Sequence, residues 1–283
     1  MTDLSSPIDL GRGRLAAART ARRAPGGGRT SALAAAGLVA TPWVAVLAGW
    51  WAMNALAIVD PALLPSPLEV AGEGLARAAD GRLLADVAAS SARVLTGVAI
   101  GTSLAVPIGI ALGRFEAMRL AVGPLVGFFR ALPPIALIPL VIIYFGIGEA
   151  AKIIVLSFAA FFGAVIVIYE GVSQIAPIYT HVARTLGASE QEIFRRVTLP
   201  LAVPHILTGL RVALGVTWAT LVAAELVAAQ TGLGASIQVA ASFFQLPVIY
   251  VGIIAIGVTA LAMDVVLKRL TARAVAWQER LER

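Results

Sequence analysis

The chain has no cysteine among its 283 residues, which excludes disulfides, thiolate metal sites and cysteine nucleophiles. Histidine is nearly absent too. His181 and His205 leave little for a metal or a catalytic relay. Charge is the third shortage, with only 13% of residues Asp, Glu, Lys or Arg, where a soluble domain carries about a quarter. No G-x-x-x-x-G-K-[ST] phosphate loop occurs, so ATP is not bound by that route. No Ser/His/Asp or paired-carboxylate constellation is placed for catalysis, which argues against an intramembrane enzyme. Apolar side chains are plentiful: 59% of residues are hydrophobic and the mean hydropathy is +0.89. Several uninterrupted apolar runs of about 20 residues place the chain in a bilayer.

Six spans are predicted, over residues 32–59, 90–112, 135–145, 153–169, 201–229 and 248–267. The third is too short alone and must borrow from the preceding 122–131 run. Residues 1–30 form a basic, Gly/Pro-punctuated tail, too polar to bury a core and expected to be disordered. The poor fit of Ala-Arg-Arg-Ala-Pro-Gly and the length of the following apolar run argue against a cleaved signal. Residues 271–283 form a second tail, and 31–270 the membrane domain between them. Basic residues cluster in alternate connections: the first tail, Arg114/Arg119, Arg184/Arg195/Arg196, and the end with Lys268 and Arg269. The positive-inside rule therefore puts both termini in the cytoplasm. The net charge of +6 reflects this topology rather than nucleic-acid binding.

Gly97/Gly101 and Gly109/Gly113 are two small-xxx-small pairs, which allow another helix backbone to approach closely. Pro107 should kink the second span, and Pro133, Pro134 and Pro139 should break the third. Irregular backbone at membrane depth has to be buried in protein or line a watery cavity. A pathway is therefore expected near residues 130–146.

One segment departs from this apolar pattern: ARTLGASEQEIFRRVTLP, residues 183–200. Ser189 and Glu192 have capping-box spacing, predicting a short helix from Glu190 that ends before Pro200. Ile193, Phe194 and Val197 share one side of it, with Arg195 and Arg196 elsewhere. Val182 and Leu186 lie one turn apart on a preceding helix, which Gly187 is placed to end in the left-handed conformation. Helix, Gly-Ala-Ser turn, short amphipathic helix is the expected shape. It suits lying flat on a membrane or docking into a partner's groove; its position between two spans excludes a DNA-reading role.

The segment resembles the loop that marks permease subunits of ABC importers: EAA, three residues, Gly, nine residues, Ile, one residue, Leu-Pro. The matching positions are His181-Val182-Ala183, Gly187, Val197 and Leu199-Pro200. The Gly-to-Leu-Pro spacing agrees in full. In the opening triplet only Ala183 matches, and His181 stands in place of the Glu. LPSP at 64–67, RALPPIALIPLVIIYFGIGEAAKI at 130–153 and ILTGLRVALGVTWATLVAAELVAAQTGLG at 206–234 extend the resemblance to about residues 60–270. These stretches are similar to the subgroup serving taurine and aliphatic sulfonates; nitrate, bicarbonate-type and pyrimidine (thiamine) precursor importers are near relatives.

The resemblance implies an all-α integral membrane permease of the bacterial inner membrane, with about six spans and a cytoplasmic coupling helix in 181–200. It implies a homodimer with the pathway on its axis, two cytoplasmic ATPases, and a periplasmic or lipid-anchored binding protein. No cofactor is expected in this chain, because ATP and magnesium belong to the ATPase. The coupling set is His181, Ala183, Gly187, Ala188, Ser189, Glu192, Phe194, Arg195, Leu199 and Pro200. A carrier or channel is the alternative class, but inverted repeats and midplane charge pairs are not evident in the sequence.

Ionisable residues inside apolar runs are functional candidates. Arg130, Arg211 and Glu225 qualify and, with Pro133, Pro134, Thr217 and Trp218, make up the candidate pathway set. Packing is the competing role for Thr217 and Trp218. Arg211 and Glu225 are about 21 Å apart along one helix, so each needs its own partner. Glu225, toward the periplasmic end, is placed either to meet the binding protein or to hold the Gly232-Leu233-Gly234 loop. Glu149 and Lys152 are expected to snorkel at the interface. No metal site is expected.

Overall fold

A computed structural model describes residues 32–275. Residues 1–31 and 276–283, which include the basic first tail and most of the second, lie outside the described residues. The chain divides into two compact units at Ile58–Val59. In the first, α1 (Ala32–Ala55) is helical over 24 residues. It is apolar on every side, so no single face is marked for a core.

The second unit contains α2 (Pro67–Ala79), α3 (Arg82–Arg114), α4 (Glu116–Arg130), α5 (Ile138–Phe145), α6 (Glu149–Ser173) and α7 (Pro177–Thr185). It continues with α8 (Glu190–Ile193), α9 (Leu199–Ala228), α10 (Leu233–Ser242) and α11 (Leu246–Val275). No strand occurs among the described residues. Four helical stretches are long and apolar enough to cross a membrane: Arg82–Arg114, Glu149–Ser173, Glu190–Val227 and Leu246–Ala272. The pair Glu116–Arg130 and Pro134–Phe145, bent by 86°, makes a fifth if it crosses as one. The remaining expected span, the first at 32–59, falls on α1, several of whose side chains lie outside the described residues.

The core is α3, α6 and α9, and glycine sets how closely the first two approach. A Cβ at Gly97 would lie 2.6 Å from Leu156 Cβ, at Gly101 2.6 Å from Ala160 Cβ, and at Gly113 2.7 Å from Val172 Cβ. Gly109 meets Ile168 in the same register. The constant offset means that α3 and α6 run parallel with backbones nearly touching. Both small-residue pairs thus serve one helix contact, as their spacing predicts. Gly163 faces Ala213, and Gly171 faces His205, so α9 runs antiparallel to α6. Val94, Leu156, Val165, Ile168, Ala213 and Leu221 fill the space between, all fully buried.

Several boundaries differ from expectation. Pro133 and Pro134 do break the third span: a 3₁₀ turn over Pro134–Leu137 separates α4 from α5. Pro139 breaks nothing, since it sits in the first turn of α5, where a missing N–H costs no bond. Pro107 lies within α3 without interrupting it. The connection before α3 contains α2, begun by a capping box between Ser66 and Glu69 with Pro67 at its start. The uncharged stretch after α9 is largely α10, entered through Gly232 at φ +117°. Both helices are too short to span, so hydropathy gave no signal for them.

Charged residues bracket the core. Arg93 and Arg114 stand about 31 Å apart along α3 at 1.5 Å per residue, close to the thickness of a hydrocarbon core.

Candidate functional site

The end of the bundle carrying residues 181–200 is built as its sequence predicts up to Ile193. α7 closes with the Gly187 N–H donating to the Arg184 carbonyl at 2.9 Å and the Ala188 N–H to the Ala183 carbonyl at 3.0 Å. This is the paired bond pattern of a glycine-ended helix, and Gly187 takes φ +84° to make it. Ser189 then caps α8. Its Oγ accepts from the Glu192 N–H at 3.3 Å, and Glu192 Oε2 accepts from the Ser189 N–H at 3.1 Å. Ile193 is buried, Phe194 and Val197 half-buried, and Arg195 and Arg196 exposed.

The short helix does not end before Pro200. A π turn over Phe194–Thr198 carries it directly into α9. The Leu199 N–H reaches back to the Phe194 carbonyl. Such a widened turn eases the clash a proline ring makes with the carbonyl four residues earlier. Pro200 falls in the first turn of α9.

Around this turn, Ile178, Val182 and Leu186 are 60%, 50% and 82% exposed, an apolar stripe with helical spacing and no cover from the protomer. His181 is exposed beside it, while Ala183 and Ala188 are half-buried. Glu190 ties the turn to the bundle, pairing with Arg114 at 2.7 Å and Arg184 at 2.8 Å. Arg114 also donates to Thr198 Oγ1 at 3.2 Å.

The opposite end holds a charge network that is buried except at Glu149, whose side chain reaches solvent. Arg93 Nη1 donates to Glu225 Oε1 at 2.6 Å and to the Thr231 carbonyl at 2.6 Å. Its Nε and Nη2 grip Glu149 at 2.7 and 2.8 Å. Lys152 Nζ completes the group at 2.7 Å from Glu149. Ser90 Oγ donates to Glu225 and accepts from the Leu233 N–H, and Glu225 Oε2 accepts from the Gly234 N–H at 2.8 Å. Asp86 accepts from the Gly232 N–H. Glu225 thus does hold the 232–234 loop. Lys152 does not snorkel outward, being 4% exposed. A carboxylate within reach outweighs the pull of solvent on its ammonium.

The remaining pathway candidates are spread across the core. Thr217 is buried and bonded to the Ala213 carbonyl of its own helix. Trp218 is 4% exposed, and its indole N–H has no acceptor among the described residues. Arg130 is exposed at the end of α4, beside a small cavity lined by Leu112, Val126, Ile166 and Tyr169. Pro133 and Pro134 form the bend next to it. Arg211 pairs with Asp264 of α11 through two bonds, at 2.9 and 3.0 Å. Arg93 and Asp264 were missed by the sequence reading. Each is an ionisable residue inside an apolar run, the same signal that singled out Arg211. Among the described residues no group of three or more His, Cys, Asp or Glu could hold a metal.

Residues 105–276 match the family described as binding-protein-dependent transport system inner membrane component. The chain belongs to that family of ABC transporter permeases. A probable ABC transporter permease protein of Brucella abortus is 42% identical to this permease over 234 residues, covering 83% of this chain and 92% of the relative. The taurine transport system permease protein TauC of Escherichia coli K12 is 36% identical over 237 residues, covering 82% and 86%. The fold is that of the MetNI methionine ABC transporter in an inward-facing crystal form. There the TM-score is 0.58 at 19% identity, over 68% of this chain and 96% of that one. The permease is therefore a membrane-embedded transport component of an ABC importer and not itself a catalytic enzyme.

Proposed function

We propose that this permease moves taurine or another small alkanesulfonate across the bacterial inner membrane, driven by ATP hydrolysed on separate subunits. The observation that supports the substrate class is the similarity to the taurine permease over nearly the whole membrane domain. Two permease copies form the pathway, two ATPases dock on the cytoplasmic side, and a binding protein delivers solute from outside. Both termini lie in the cytoplasm, on the same side as the Gly187 turn.

The exposed Ile178–Val182–Leu186 stripe is the surface that seats in the ATPase, an apolar helix face laid into a groove. Gly187 fixes the angle of that stripe relative to α9. Proline there cannot adopt φ +84° and has no N–H for the Arg184 carbonyl. Gly187→Pro should abolish ATP-dependent uptake of labelled taurine into proteoliposomes and remove the stimulation of ATP hydrolysis by loaded binding protein. Unchanged uptake in that variant refutes the coupling role. The substrate is tested on the wild-type complex against taurine, ethanesulfonate, nitrate, bicarbonate and a pyrimidine precursor. Uptake of one of the last three without the sulfonates refutes the sulfonate assignment and leaves the importer assignment intact.

A further inference from the structure

Arg211 and Asp264 form a two-bond ion pair, yet their side chains are 41% and 36% exposed on the protomer surface. Their depth makes that exposure costly. Along α9, Arg211 is about 21 Å from Glu225 in the far-end network, well inside a hydrocarbon core about 30 Å thick. Ionised groups at such depth are not turned toward lipid tails.

The surroundings leave the pair open. On α9 the exposed neighbours are Thr208, Val212 and Gly215, and a Cβ at Gly215 would meet nothing within 4 Å. On α11, Gly257 and Leu261 are exposed along the approach to Asp264, and Gly257 is equally unencumbered. The guanidinium also has bonding capacity to spare. Asp264 takes one N–H from Nε and one from Nη2. Three of the five N–H donors of an arginine therefore have no acceptor among the described residues. A dry seam between two copies would strand those donors at a real free-energy cost. A wetted pathway satisfies them with water or solute.

We propose that the Arg211–Asp264 pair lines the translocation pathway and is a transit site for the anionic headgroup of the solute. The free Nη1 edge takes two oxygens of a sulfonate, the fork-to-fork geometry suited to Arg. Asp264 keeps the site electrically balanced, so the anion is bound weakly enough to leave. Lys268, one turn further along α11, offers the next positive charge. The sulfonate part of this inference rests on the proposed substrate class; the placement in the pathway does not.

The absence of cysteine makes the test clean. Val212→Cys and Leu261→Cys, beside the pair, are compared with Leu104→Cys, an exposed apolar position on α3 with no charge next to it. Each is made in the full complex in proteoliposomes and treated with 2-sulfonatoethyl methanethiosulfonate, a water-soluble anionic thiol reagent. Faster modification at 212 and 261 than at 104, slowed by saturating taurine, is the expected result. Modification no faster than at 104, or a 212–212 disulfide between copies that forms while the reagent is excluded, overturns the pathway assignment. Arg211→Gln should raise KM for taurine uptake by about tenfold, the loss of one charge-assisted contact. Asp264→Asn should lower both KM and kcat, because the anion is now held by an uncompensated cation. Identical kinetics in both variants overturn the transit role. If the wild-type complex moves no sulfonate, the substrate proposal fails by itself, and the thiol rates still decide where the pair lies.

Discussion

The two ends of the bundle use the same chemistry, arginine against glutamate, in opposite surroundings. At the far end Arg93, Lys152 and Glu225 are 5%, 4% and 1% exposed, only Glu149 of the group reaches solvent, and nearly every polar atom has a partner. At the Gly187 end the Glu190 side chain is 61% exposed and its partner Arg184 is 54% exposed. Desolvated charges are expensive to leave unpaired, so the far-end network locks α3, α6, α9 and the 231–234 loop together. Exposed pairs contribute little and exchange readily with water or another protein. The molecule is thus fixed at one end and free to re-pair at the other.

The largest test of that contrast is Glu225→Ala. It leaves Arg93 with Glu149 as its one carboxylate and takes the acceptor from Ser90 Oγ and the Gly234 N–H. At about 1–3 kcal/mol for each buried donor left unpaired, it should cost about 3–5 kcal/mol, read as a lowered midpoint in denaturant unfolding in mixed micelles. A loss no larger than that of an exposed pair would erase the distinction between the two ends. Gly101→Val comes next, because a Cβ there already meets the Ser157 carbonyl oxygen at 2.5 Å. Overpacking of this kind costs about 1–3 kcal/mol, and a double substitution with Ala160→Gly should recover part of it if the α3–α6 contact is responsible. Ser189→Ala removes the cap of α8 and should cost about 1 kcal/mol. Its effect should be local: hydrogen exchange rises at residues 190–193, while the unfolding midpoint moves little. Glu190→Gln is the smallest. Stability should stay within measurement error, and a double-mutant cycle with Arg114→Gln should give a coupling below about 1 kcal/mol. A coupling of several kcal/mol, as for a buried pair, would mean that the Gly187 end is locked as well.

The Gly187 turn could be read in the sequence because its signals are local. A capping box, a left-handed glycine and a fixed spacing to Leu199-Pro200 act within a few residues of each other, and all three appear in the structure. The π turn before Pro200 could not be read. A proline signals a helix boundary equally well whether the chain stops or widens into another turn. Glu225 was recognised as a residue needing a partner, but Arg93 lies 132 positions away, and no pattern within one helix names a partner on another. Lys152 shows the opposite failure. Its place near the end of an apolar run suggests snorkelling; its partner Glu149 lies one turn back on the same helix, and only the packing of neighbouring helices reveals that the ammonium is buried.

The sequence by itself determined that this chain lives in a membrane, that α3 must touch another helix along its glycines, and that residues 181–200 form a capped, glycine-ended turn. Composition and short-range spacing carry that information, because apolar length, capping and small-residue repeats are properties of a single segment. Only the tertiary structure decided which helix those glycines face, that Arg93 and Glu225 close one end, and that Arg211 finds Asp264. Each of these depends on side chains brought level by the register of separate helices, and that register is set by packing along their whole length.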